Sequence, residues 1–352
     1  MRIHPATAAI AAALLFGAST PLAKLLVGAM PPLLLAGLLY LSSGVGLGAL
    51  LLVRRALRRT PSGESGPWSI PRRDAPSLLG AIVAGGIAGP ALLMTGLAQT
   101  DAASASLLLN LEGVFTALIA WLVFHENTDR RIVAGMIAIV AGGVLLSWQP
   151  SGAAAAPGAL LIAAACLCWA VDNNLTRKVS SHDAMLVAGC KGLVAGLCNT
   201  GLALVSGAAL PSAGVIGWAL LVGFVGYGVS LALFVVALRT LGTSRAAAYF
   251  SIAPLFGVML AFALWPEAPG AAFWAAAALM ALGLGLHLRE RHGHAHAHLP
   301  LAHSHSHAHD AHHRHEHDFA WDGHEPHVHP HAHAALTHVH AHYPDIHHRH
   351  PH

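Results

Sequence analysis

Apolar residues run along this chain in long unbroken blocks separated by short polar or proline-rich punctuation. A bilayer core is crossed by roughly 20 apolar residues in a helix. Ten blocks of that order stand at about 6–28, 31–53, 76–98, 102–125, 131–149, 157–176, 184–206, 213–238, 244–265 and 270–288. Proline sits at many junctions, at Pro31, Pro32, Pro150, Pro157, Pro211, Pro266 and Pro269. The first block opens like a secretory signal, with Arg2, an apolar run and small residues. It continues to Lys24 and Val27 and nine more blocks follow, so it is read as the first membrane helix.

Composition agrees. Hydrophobic residues make up 55% of the chain and charged ones 10%, against about 25% charged in a soluble domain. The partner this implies is the lipid bilayer, and a formal charge of +3 gives no reason to expect nucleic acid. The placement of the basic residues is more informative. Arg2, the group Arg54, Arg55, Arg58, Arg59, Arg72 and Arg73, then Arg130 with Arg131, Arg177 with Lys178, Arg239 with Arg245, and Arg289 with Arg291 fall at every second junction. The alternate connections carry no Lys or Arg. By the positive-inside rule both termini are cytoplasmic, in a multi-pass protein of the cell (inner) membrane. The four cysteines lie in apolar stretches and read as small buried residues. Gly80, Ala84 and Ala88 in the third block, and Gly135 with Gly143 in the fifth, predict close helix packing.

The second half repeats the first. "TDAASASLLLNLEGVFTALIAWLVFHE" (100–126) aligns without a gap with "LGTSRAAAYFSIAPLFGVMLAFALWPE" (241–267), an offset of 141 residues. Gly142 then falls opposite Gly283. Earlier, Phe16 matches Trp169 and Lys24 matches Arg177 at an offset of 153. Five helices per unit is odd, so the two units enter the bilayer from opposite faces. Inverted repeats are a secondary-transporter pattern, with the site near the midplane between halves. The expected fold is an all-α integral membrane protein of ten transmembrane helices in two inverted five-helix repeats, 1–150 and 151–290, followed by a disordered His-rich tail, 291–352.

These residues carry a resemblance. "LLFGASTPLAKLL", the two fourth-helix segments, "CWAVDNNLTRKVS" and the Gly-rich closing helix of each half resemble the EamA domains of the drug/metabolite transporter superfamily, over roughly 5–288. The resemblance implies a central cavity and export or exchange of small organic solutes. The family's fourth helix usually has proline where this chain has Gly113, whereas Pro254 keeps it in the second repeat.

An ionisable residue within a span costs at least about 2.5–3.5 kcal/mol at the centre, so each needs a partner or a task. Glu112 lies mid-way along the fourth span, with Asn110 beside it and Ser251 as the repeat counterpart of Asn110. It is either a group that alternately binds a proton or a cationic substrate, or half of a static pair with Lys24. Asp172 and Lys191 lie in the inner halves of consecutive helices, as a salt bridge or a gated one. Asn173, Asn174 and Thr176 either line an inner vestibule or mark a helix end. Tyr249 faces a cavity or packs in the membrane.

Residues 292–352 hold 24 of the 28 histidines. The densest run offers His292, His294, His296, His298, His303, His305, His307, His309, His312, His313, His315 and His317 as ligands for Zn, Ni, Co or Cu. No apolar periodicity survives there, which predicts no folded core.

Together these features predict a secondary-active exporter of small organic metabolites, proton-coupled, monomeric or homodimeric, with a metal-binding cytoplasmic tail that regulates or buffers. It needs no cofactor and is no enzyme, since no acid/base or nucleophile constellation is visible. Divalent-metal efflux is the second reading and a non-transporting membrane metal sensor the third. Metal efflux calls for His, Asp, Glu or Cys clustered within the spans, and Glu112 is the one mid-span carboxylate.

Overall fold

Helix is the default for these blocks, because in hydrocarbon each backbone N–H and C=O must find its partner within the segment. The computed structural model describes residues 5–57, 74–124, 130–148, 156–178, 184–241, 249–266 and 268–288, and in the tail 293–298, 301–307, 327–333 and 336–341. The first unit contains α1 (Pro5–Val27), α2 (Pro32–Leu57), α3 (Ala75–Ala81), α4 (Gly89–Ala98), α5 (Ala102–Leu108), α6 (Leu111–Phe124) and α7 (Arg130–Ser147). The second contains α8 (Pro157–Lys178), α9 (Ala184–Val205), α10 (Ala213–Gly223), α11 (Ser230–Leu241), α12 (Ala253–Leu264) and α13 (Ala271–Leu288). Among the described residues eight helical stretches are long and apolar enough to cross a membrane, and α12 and most of α13 form two shorter apolar helices. The ninth predicted span, 244–265, begins partly outside the described residues. The membrane part of the protein is all-α and multi-pass. Its exposed apolar side chains, Leu52, Leu197, Val205 and Trp218 among them, sit on spanning helices where lipid replaces water.

Four expected spans are not simple helices. Ile82–Ala88 joins α3 to α4 as a π-helix, and Phe224–Val229 joins α10 to α11 in the same way. The fourth span breaks at Leu109–Asn110 between α5 and α6, and its counterpart turns at Ser251–Ile252 before α12. Each irregularity recurs at the 141-residue offset to within one residue, so the duplication extends to backbone defects that apolar composition cannot encode.

The packing has the same symmetry. α2 lies against α9, α7 against α13, α4 against α8, α1 against α11, and α5 against α12. Exchanging the halves turns the contact of the first and eighth spans into that of the sixth and third, and maps the other pairings onto themselves. Glycine permits these approaches: a Cβ on Gly192 would lie 2.9 Å from the Gly44 nitrogen, and one on Gly283 2.6 Å from the Gly135 carbonyl oxygen. Gly80 meets Leu175 of α8 as its small size predicts, the seam continues through Gly85 and Gly89, and Gly86 faces Ala195 of α9.

The tail belongs to a compact unit of its own, Glu290–His352, apart from the unit Met1–Arg289 that holds both repeats. The expectation of a tail without regular structure does not hold for four segments. β1 (Gly293–His298) pairs antiparallel with β4 (Leu336–Ala341), and β2 (Leu301–His307) with β3 (His327–His333). The alternation H-x-H has a period of two, which is also the period of a strand.

Candidate functional site

A cavity of about 250 Å³ opens between the two repeats. The first repeat contributes Phe16 of α1, Tyr40 and Ser43 of α2, and Glu112 of α6. The second contributes Trp169, Asp172 and Asn173 of α8, Ala188, Lys191 and Gly192 of α9, Tyr227 of the π segment, Ser230, Leu231 and Phe234 of α11, and Phe250.

Glu112 reaches the cavity because the fourth span breaks. The turn at Leu109–Asn110 makes Glu112 the second residue of α6, within the first turn, where free N–H groups favour a carboxylate. Asn173 donates its side-chain amide to Glu112 Oε1 at 2.8 Å and lies 3.4 Å from Thr116 Oγ1. The neighbour expected to help, Asn110, instead donates to the Leu107 carbonyl at 2.8 Å and closes the broken turn.

Lys24 does not pair with Glu112. Its ammonium donates to the Leu97 carbonyl at 2.5 Å and lies 3.5 Å from that of Ala98, at the C-terminus of α4. A lysine there satisfies orphan carbonyls at the negative end of the helix dipole. The static Glu112–Lys24 bridge is therefore replaced by a cap.

Asp172 and Lys191 form the expected salt bridge, α8 to α9. Thr176, one turn beyond Asp172, donates to Asp172 Oδ1 at 2.7 Å, and Lys191 donates to Thr176 Oγ1 at 3.1 Å. Gly85 makes room for the carboxylate, since a Cβ at that position would overlap the Asp172 side chain. The repeat-related positions are Ser19 and Gly226, also in contact. The same notch thus holds an ion pair in one half and a hydroxyl in the other. Asn174 points elsewhere and is buried, donating to Ala170 O at 2.8 Å and Thr116 O at 3.3 Å.

The apolar wall is a run of rings. Tyr40 and Tyr227 have centroids 5.5 Å apart, Tyr227 and Phe16 5.8 Å, Phe16 and Phe250 5.3 Å, and Phe250 and Phe234 4.7 Å. Trp169 Nε1 and the Tyr40 hydroxyl both donate to the Gly85 carbonyl, at 2.9 and 3.3 Å. That carbonyl lies in the π segment, and the two side chains tie it to the cavity wall. Asn199 donates to the next carbonyls, of Gly86 and Ile87.

Of the expected site residues, the fold brings together Glu112, Asn173, Asp172 and Lys191. Tyr249 is exposed and its neighbour Phe250 lines the cavity. Ser251 lies in the turn before α12, and Pro254 is the second residue of that helix, where the missing N–H costs least. Tyr40, Tyr227, Phe234 and Phe250 were not legible beforehand, since a cavity ring and a lipid-facing ring look alike in an apolar block. The Phe16–Trp169 correspondence was the one signal, and both line the cavity. No group of three His, Cys, Asp or Glu with metal-site geometry occurs among the described residues. His292, His309, His312, His313, His315 and His317 lie outside those residues. His294, His296, His298, His303, His305 and His307 fall on β1 and β2.

Comparison with known proteins gives a consistent result. The EamA-like transporter family matches the chain twice, over residues 5–148 and 156–289. The chain is similar to an uncharacterized transporter of Methanothermobacter thermautotrophicus, at 29% identity over 272 residues covering 73% of this chain and 78% of that protein. It is also similar to a protein of known crystal structure, with a TM-score of 0.57 and 23% identity over 82% of this chain and 97% of the other, a likeness of fold.

Proposed function

Since the chain belongs to the EamA-like transporter family, we propose that it is a secondary-active transporter that exports a small organic solute in exchange for protons. The observation that carries this reading is the Glu112 carboxylate, set at a helix break and facing a ring-lined cavity between the repeats. A carboxylate there can hold a proton or a solute in turn, and sites of this kind lie at the interface of transporter repeats. Alternating access then amounts to rocking one half against the other about the cavity. The π segments in both third spans and the broken fourth spans are the places where backbone geometry departs from rigid helix.

The basic junctions orient both termini to the cytoplasm of a cell (inner) membrane. There the histidine tail binds Zn, Ni, Co or Cu and buffers or regulates. The second reading, divalent-metal efflux, rests on the tail histidines, and the membrane-sensor reading on the same feature. A flux screen in proteoliposomes, with metals and organic solutes and with or without a pH gradient, separates the three. Proton-driven organic flux lost in Glu112→Gln supports the proposal. Metal flux alone supports efflux, and no flux of either kind leaves the sensor.

A further inference from the structure

We infer that the transported solute is a small organic cation with an aromatic-sized apolar body, and that Glu112 is its counter-charge. The inference rests on the transporter reading above and goes beyond it by naming the chemical class.

Three charged side chains line the cavity, the acids Glu112 and Asp172 and the base Lys191. Lys191 is committed to Asp172, and Thr176 bonds both partners. These two charges cancel within the wall. Glu112 has an amide partner, Asn173, and no cation within salt-bridge distance among the described residues. The lining is therefore one negative charge out of balance whenever Glu112 is ionised. A cationic solute restores neutrality. A carboxylate solute would double the imbalance, and the Lys191 ammonium is already bonded to Asp172.

The rings argue the same way. Phe16, Tyr40, Trp169, Tyr227 and Phe250 surround the space that Glu112 faces. Their apolar area suits an apolar body, and their faces carry the negative end of the ring quadrupole, which attracts a cation and repels an anion. At about 250 Å³ the cavity lies below the usual range for drug-sized ligands, about 300–1,000 Å³, so it admits one small solute. Solute and proton compete for one carboxylate: the ammonium leaves as the proton binds, and the exchange of one monocation for one proton moves no net charge.

The test uses the purified full-length protein and three probes sharing a phenyl body: phenethylamine, 3-phenylpropionate and 3-phenylpropanol. Binding is read by the fluorescence of Trp169 and its fellow tryptophans, and transport by counterflow in proteoliposomes. The expected result is phenethylamine binding at least about tenfold tighter than the acid or the alcohol, the size of one charge-assisted contact. Lower pH should weaken it. Glu112→Gln should remove the preference and Glu112→Asp should keep it. Equal or tighter binding of the acid or the alcohol overturns the inference, as does a cation preference that survives Glu112→Gln. Proton-driven flux of an anion or neutral solute, without the amine, sinks this inference and leaves the transporter reading standing. Absence of flux across the whole organic panel counts against both.

Discussion

Asn173 donates to Glu112 at 2.8 Å, and this bond joins α8 of the second repeat to α6 of the first. It is a polar tie between the halves, set in the cavity wall beside the Asp172–Lys191 pair. Its two partners were both visible as polar residues in apolar blocks, yet nothing in their spacing of 61 residues predicts that they touch.

Glu112→Gln keeps a hydrogen-bonding side chain and removes the charge. Proton-driven solute flux in proteoliposomes should fall by about 10–100-fold, from the loss of a charge-assisted contact worth about 1.5–3 kcal/mol. Size-exclusion elution and helix content should match the wild type. Undiminished proton-driven flux would show that coupling lies elsewhere.

The Asp172–Lys191 pair makes a second prediction through a double-mutant cycle. Lys191→Met leaves the buried Asp172 unpaired and should cost up to about 3–5 kcal/mol, and Asp172→Asn, which leaves the half-buried Lys191, should cost less. The double variant should recover part of that in thermal melts of the detergent-solubilised protein. Strictly additive losses would mean that the two groups do not stabilise each other in solution.

Two glycines should respond oppositely. Gly85→Ala places a methyl group in the volume of the Asp172 side chain and should lower both melting temperature and flux. Gly113→Ala meets no atom within 4 Å and should be neutral or stabilising by up to about 1 kcal/mol, the usual gain in helix propensity. Equal effects at the two sites would contradict the close packing of α8 on the π segment.

Lys24→Met should cost about 1 kcal/mol of stability by uncapping the end of α4, while proton coupling persists. Combined with Glu112→Gln, its effect on melting should add, as expected for groups that share no partner. A coupling energy well above about 0.5 kcal/mol would revive a Lys24–Glu112 pair.

Deletion of 292–352 should leave organic solute flux intact and abolish retention of Ni or Zn by the purified protein. Retention by the full-length chain should fall as pH drops through about 6.5, because protonated imidazole does not ligate. Metal flux lost with the tail would favour the efflux reading instead.

Much of this protein was determined by sequence alone. Block length and the phase of the basic residues give helices, membrane and expected orientation, because the cost of bare backbone and of charge in hydrocarbon leaves few alternatives. The repeat gives the two halves a common fold, and Glu112, Asp172, Asn173 and Lys191 stand out as polar groups in apolar surroundings. Tertiary structure decided the rest. It turned Lys24 from a partner of Glu112 into a cap on α4, and Asn110 from a site residue into a turn closure. It also chose Phe250 over Tyr249 and gathered Tyr40, Tyr227 and Phe16 into one wall. In a lipid-spanning helix both faces are apolar, so periodicity does not say which ring faces a cavity and which faces lipid. The pairing of α1 with α11 and of α4 with α8 makes that distinction, and with it the site.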